Sequence, residues 1–157
     1  MFDPEIIRRA TNDDLEQIYS IEKNCFSINK AYTKKQLKYL ITYANSSCLV
    51  ETFNELIRGF IIVLYRKGTN TAAIETINVD PDYHKMGIGK KLLFAAESDI
   101  INTGINRIRL EVSLGNTVAI QLYEKSGYRI ISFLKNYYQY EHFGTKDAYR
   151  MVKSLIT

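Results

Sequence analysis

A chain of 157 residues is about one domain and buries roughly two-thirds of its unfolded surface, so its core needs no staple. A net charge of +4 raises nucleic acid as a partner, but the Lys and Arg residues are dispersed with no run beyond two, which argues against it. Cys25 and Cys48 lie in neither a Cys-x-x-Cys nor a Cys/His spacing, so a disulfide framework and a metal site lack support and both read as buried thiols.

The acidic stretch 1–5 has no apolar run behind it, and the longest apolar stretch, 59–65, is far too short to span a bilayer. A soluble, cytoplasmic protein without a membrane partner is expected. No Pro/Gly/Ser-rich linker, repeat or low-complexity block interrupts the chain, so residues 1–157 read as a single domain.

Residues 6–9 read as a short strand. Thr11 with Asp14 three residues on resembles a capping box for a helix through about residue 25, whose core face is Leu15, Ile18, Ile21 and Phe26. Residues 26–32 read as a loop. Thr33 and Gln36 form a second capping box, opening an amphipathic helix to about residue 44 with Leu37, Leu40 and Ile41 inward. Residues 48–53 and 58–65 are antiparallel strands joined by a polar turn at Asn54 and Glu55, and 72–79 is the next strand, ended by Pro81. A helix over 88–103 stops near Gly104, a strand ends at Val112, and a short helix over 117–126 is closed by Gly127. Strands over about 128–138 and 148–154 flank a long loop rich in Tyr, His and Gly, a place where small domains often carry function.

The most informative segment is 77–91, a strand and turn leading to Gly87-Ile88-Gly89, which opens directly into a helix. Glycines let the backbone approach a bulky anion, the first helical N–H groups lack internal partners, and the helix dipole favours negative charge there. Lys85, Lys90 and Lys91 add positive charge around this phosphate cradle. Alone, Gly-x-Gly before a helix is a weak signal, equally compatible with a tight turn.

Residues further along the chain sharpen it. The pattern Gln/Arg-x-x-Gly-x-Gly/Ala falls on His84 to Gly89, and a later Asn and Tyr fall on Asn116 and Tyr123; on these residues the chain resembles the GNAT superfamily of acetyl-CoA-dependent N-acetyltransferases. Leu110-Glu111-Val112, Asn116, Ala119-Ile120, Leu122-Tyr123-Glu124 and Lys135-Asn136-Tyr137-Tyr138 look like the ribosomal-protein alanine acetyltransferases and archaeal N-terminal acetyltransferases. His84 departs from the family's Gln or Arg, which touches one side-chain contact and leaves the backbone cradle intact.

The resemblance implies an α/β (α+β) fold with a mixed, mostly antiparallel sheet of six to seven strands and about four helices. It implies acetyl-CoA as cosubstrate, no metal, and direct transfer to an amine in a ternary complex. Pantetheine would run along Ile77, Asn78 and Val79 as an added strand, with a backbone N–H near Val79 stabilising the oxyanion. Lys85, Met86, Gly87, Ile88, Gly89 and Lys90 would hold the phosphates, and Asn116 would contact the pantetheine arm. Tyr123 would lie near sulfur as the acid.

Two glutamates compete as base. Glu111 matches the proton acceptor of the ribosomal-protein enzymes, and Glu75 matches a glutamate of many small-amine acetyltransferases; a glutamate on a strand's outer face is otherwise simply solvated. Tyr32, Tyr137 and Tyr138 fall where N-terminal acetyltransferases close over the first residues of a peptide. The preferred expectation is therefore acetylation of a protein's N-terminal α-amine, a ribosomal protein being one candidate partner. The alternatives are a small-amine (polyamine-type) N-acetyltransferase and a non-catalytic acetyl-CoA-binding module.

Overall fold

The computed structural model describes residues 4–26 and 30–155. Seven strands form one sheet in the order β1-β2-β3-β4-β5-β7-β6. They are β1 (Glu5–Arg9), β2 (Ser46–Phe53), β3 (Leu56–Tyr65), β4 (Thr71–Val79), β5 (Arg107–Ser113), β6 (Arg129–Leu134) and β7 (Ala148–Ser154). Four α-helices cover it: α1 (Leu15–Cys25), α2 (Lys34–Thr42), α3 (Ile88–Asn102) and α4 (Thr117–Lys125). All neighbouring strands are antiparallel except β4 and β5, whose parallel pairing requires the crossover that α3 supplies.

Hydrophobic period places the layers. On α3, Ile88, Leu92, Leu93, Ala96 and Ile100 recur on one helical face and pack against Ile61, Ile74, Ile108 and Leu110 of the sheet. The opposite side of β2 and β3 meets Leu15, Ile18 and Ile21 of α1 and Leu37 of α2. Two-sided cover explains why residues 57–63 of β3 are all buried.

Both expected capping boxes form, at Thr11/Asp14 and at Thr33/Gln36. The first, however, caps a 3-10 turn (Asn12–Asp14) that leads into α1. Its Asp14 carboxylate accepts from the Thr11 backbone at 2.7 Å and from both terminal guanidinium nitrogens of Arg8 at 2.8 and 2.9 Å. The Arg8 hydrogen bonds hold the Asp14 carboxyl below its usual 3.8. A depressed carboxylate contributes stability above the unfolded-state value that is lost as pH falls through the lower folded-state value. Asp14→Asn should therefore cost about 1–2 kcal/mol at pH 7. In urea titrations the gap from wild type should close as pH drops below 3.8.

Three expectations are corrected. Phe26 does not join the core of α1, because the helix ends at Cys25 and Phe26 turns extended (φ −135°), breaking the helical phase; its ring instead meets His142 edge-on. The strand expected over 128–138 stops at Leu134, since Asn136 takes a positive φ of 53° and turns the chain, leaving Tyr137 and Tyr138 in the loop beyond it. The second helix ends at Thr42, not residue 44. Of the loop expected over 26–32, residues 27–29 lie outside the described residues.

Candidate active site

The strands that carry the site separate within the sheet. β4 and β5 pair only from Thr71/Arg107 to Ile74/Leu110, whereas β4 continues against β3 to Val79 and β5 continues against β7 to Ser113. Beyond Ile74 and Leu110 the two strands diverge, so residues 75–79 present an edge with no strand partner among the described residues. Such an edge offers backbone donors and acceptors to an extended ligand. Ile77 and Val79 pack toward the α3 core, while the Asn78 side chain turns to the other face and donates to Glu22 at 2.9 Å and Thr76 at 3.0 Å. Only the Asn78 backbone is thus left for a ligand on this edge.

At the end of β4, Asp80 and Pro81 begin a 3-10 turn (Pro81–Tyr83) leading to the glycine loop. Arg58 is buried, bonded to Glu51, and its guanidinium lies near the rings of both Phe53 and Tyr83, tying this turn to β2 and β3. Gly87 is the N-cap of α3 at φ 77°, a left-handed conformation that favours glycine, and a Cβ there would meet nothing within 4 Å. The space beside it is open at the positive end of α3, with Lys85 and Met86 exposed around it, Lys90 on the first turn and Ile88 anchoring the helix in the core. Gly89 sits closer in, where a Cβ would touch Leu122 and Val79. The loop therefore fits a phosphate-bearing group. His84 does not point into this cradle; its Nε2 lies 2.9 Å from the Val79 carbonyl oxygen and braces the strand end.

Where β4 and β5 part, two carboxylates and three phenols converge. Glu75 is the extra residue of a bulge in β4, since Ile62 pairs with Thr76 and Val63 with Ile74, and bulges re-aim side chains. Its carboxylate accepts the Tyr32 hydroxyl. Glu111 Oε2 accepts from Arg109 at 3.2 Å and Arg150 at 2.9 Å, and the Tyr137 hydroxyl approaches Oε1 at 3.4 Å. The Tyr137 and Tyr138 rings meet edge-on at 5.0 Å, and Tyr138 stacks on His142 at 4.1 Å. Burial, then its hydrogen bond and charge contact with Glu75, pushes the Tyr32 phenol well up. Tyr137 is raised by burial and then by Glu111 and Glu75, and Tyr138 is pushed up to about 12 by burial first. Both base candidates and all three expected substrate tyrosines thus share one microenvironment.

Tyr123 comes from α4, whose N-cap Asn116 accepts from the Ala119 backbone at 3.2 Å. That bond uses the Asn116 carbonyl and leaves its amide group to meet a ligand. Tyr123 is 5% exposed and burial raises its phenol strongly, so it stays protonated across the working range, as a proton donor must. Gly115 lies between Ser113 and Asn116, and a Cβ there would stand 2.0 Å from the Phe143 carbonyl oxygen. Ser113 Oγ donates to the His142 carbonyl at the same place. The aromatic loop therefore presses directly on backbone that only glycine allows.

Sequence reasoning missed Glu22. This α1 residue is 1% exposed, and its carboxylate accepts from Asn78 at 2.9 Å and from the Tyr32 backbone N–H at 2.9 Å. It joins β4 to the segment carrying Tyr32, and its only sequence signal was a charge beside Ile21 on the inward face of a helix. Glu22→Ala should cost about 2–4 kcal/mol in urea unfolding, because the buried Asn78 amide and the part-buried Tyr32 N–H lose their acceptor. Arg109 and Arg150 were also missed; their roles depend on the β5/β7 register, which local pattern does not reveal.

Known proteins resemble this chain in sequence and fold. The [Ribosomal protein bS18]-alanine N-acetyltransferase of Escherichia coli K12 is 37% identical over 67 residues, which cover 43% of this chain and 45% of that relative, so the match spans less than half its length. The N-alpha-acetyltransferase of Saccharolobus solfataricus is 28% identical over 95% of this chain and 92% of its own length. The crystal structure of the ribosomal-protein-S18-alanine N-acetyltransferase from Escherichia coli superposes with a TM-score of 0.87 at 26% identity, covering 98% of this chain and 95% of that one. The sequence profile of the Acetyltransferase (GNAT) family matches residues 15–128, and the chain belongs to that family.

Proposed function

We propose that the protein transfers an acetyl group to the N-terminal α-amine of a polypeptide. The observation that carries this reading is the convergence of Glu75, Glu111, Tyr32 and Tyr137 where β4 and β5 part, with the Gly87 cradle following the end of β4. Family membership supports it, as do the relatives named [Ribosomal protein bS18]-alanine N-acetyltransferase and N-alpha-acetyltransferase. Acetyl-CoA, when bound, supplies the activated acetyl group; the N-terminus of α3 and Gly87 would hold its phosphates, the edge at residues 77–79 its pantetheine, and Asn116 the arm.

The chain's own residues do the rest. Glu111 takes the proton of the incoming ammonium, directly or through one water, with Arg109 and Arg150 fixing the carboxylate's orientation. Tyr123 donates a proton to the leaving sulfur. Tyr32 and Tyr137 position the first acceptor residues, and backbone N–H near Val79 polarises the carbonyl. An α-amine, with an ordinary pKa of about 7.7–8.0, needs less help than a lysine near 10.4. Two arginines on Glu111 Oε2 also disfavour a polycationic acceptor.

The test is incubation with acetyl-CoA and peptides that differ in their first two residues, with spermidine alongside, measuring product mass and free thiol. Peptide α-acetylation with thiol release is expected. Spermidine turnover alone, or binding without thiol release, would overturn the reading in favour of a small-amine enzyme or a binding module.

A further inference from the structure

The β5/β7/β6 end of the sheet has one face toward α3 and α4, with Leu110, Val112 and Met151 in that core. Pairing register defines the opposite face. Arg109, Val152 and Arg129 form one row across the three strands, Glu111, Arg150 and Ser132 the next, and Arg107 stands beyond Arg109 on β5. Among the described residues, the face thus sets four guanidinium groups against a single carboxylate. Glu111 engages Arg109 and Arg150, whose side chains are still 39% and 32% exposed. Arg107 and Arg129 are exposed and have no ion pair among the described residues. Val152 is only 3% exposed although its register neighbours on this face are Arg109 and Arg129, consistent with arginine stems lying across it.

We propose that this arginine face docks an acidic segment of the acceptor polypeptide, a few residues after the acetylated N-terminus. The inference rests on the α-amine reading. The face starts at Glu111, where the amine would react, and runs four residues along β5 to Arg107, about 13 Å or roughly four residues of extended peptide. Acceptor residues beyond the second would therefore travel over it. Planar guanidiniums match carboxylates bidentately, and exposed ones act most strongly at low ionic strength. A polypeptide fits better than a nucleic acid, because Glu111 sits at the reactive end of the face and would repel phosphate there.

The test compares kcat/KM for hexapeptides that begin with two alanines and continue with four glutamates, four serines or four lysines. The acidic peptide should exceed the serine peptide by roughly tenfold at low ionic strength, the size expected from two exposed ion pairs, and the advantage should shrink in salt. Arg107→Glu with Arg129→Glu should abolish it and leave the serine peptide unchanged. Equal rates for the three peptides would overturn the proposal and leave the α-amine reading standing. So would an advantage that survives the double variant, or an RNA oligonucleotide that inhibits the serine peptide in wild type but not in the double variant. If no peptide is acetylated, both readings fall.

Discussion

Glu111→Gln and Tyr123→Phe are each expected to lower kcat by roughly 100-fold or more, the range in which positioned acids and bases act, with little change in the KM for acetyl-CoA. Glutamine keeps an acceptor oxygen toward Arg150 but removes the proton acceptor. Phenylalanine keeps the buried ring against Tyr128, 5.7 Å away, and removes only the hydroxyl. The pH profile separates them. In wild type, kcat/KM should rise from about pH 6 to about 8 as the α-amine loses its proton, then stay level to about pH 9, because burial holds Tyr123 protonated well beyond that. Tyr123→Phe should lower the whole curve without moving it. Glu111→Gln should lower it too, most steeply at the acid end, where the amine arrives charged and needs an acceptor. A Glu75→Gln variant more damaging than Glu111→Gln would transfer the base to the bulge.

Gly87→Val is the second large effect. Valine in a left-handed conformation costs about 1–2 kcal/mol or more, and its side chain would fill the open space beside the α3 N-terminus. The KM for acetyl-CoA should rise on the order of 100-fold, as for the loss of one or two charge-assisted hydrogen bonds. His84→Gln should change it by less than about threefold, since a glutamine amide also donates to the Val79 carbonyl that His84 braces. Equal losses from the two would contradict a cradle built from backbone.

Much of this was legible in the chain. Local signals marked the capping boxes and the glycine stops after α3 and α4, because caps and C′ glycines act within a turn. The anion loop was equally local. Three things were not. The end of β6 escaped because aromatic residues continue past Leu134, and only the backbone turn at Asn136 stops the strand. The bulge at Glu75 has no composition of its own; it exists because β3 and β4 pair out of step. Glu22 looked like one more helix charge until tertiary contacts gave it two donors. In the last two cases the missing information was register or packing, which a one-dimensional pattern does not contain.

The contact at Gly115 has a thermodynamic meaning. Asn116, proposed to touch the cosubstrate, and Tyr137, proposed to touch the acceptor, belong to segments that meet where Gly115 admits the Phe143 carbonyl and Ser113 holds that of His142. If one substrate tightens this contact on binding, it tightens it for both segments. The free energy by which one substrate strengthens binding of the second must then be returned in full when the order of addition is reversed, so the two substrates share a single cooperativity set by a residue that touches neither.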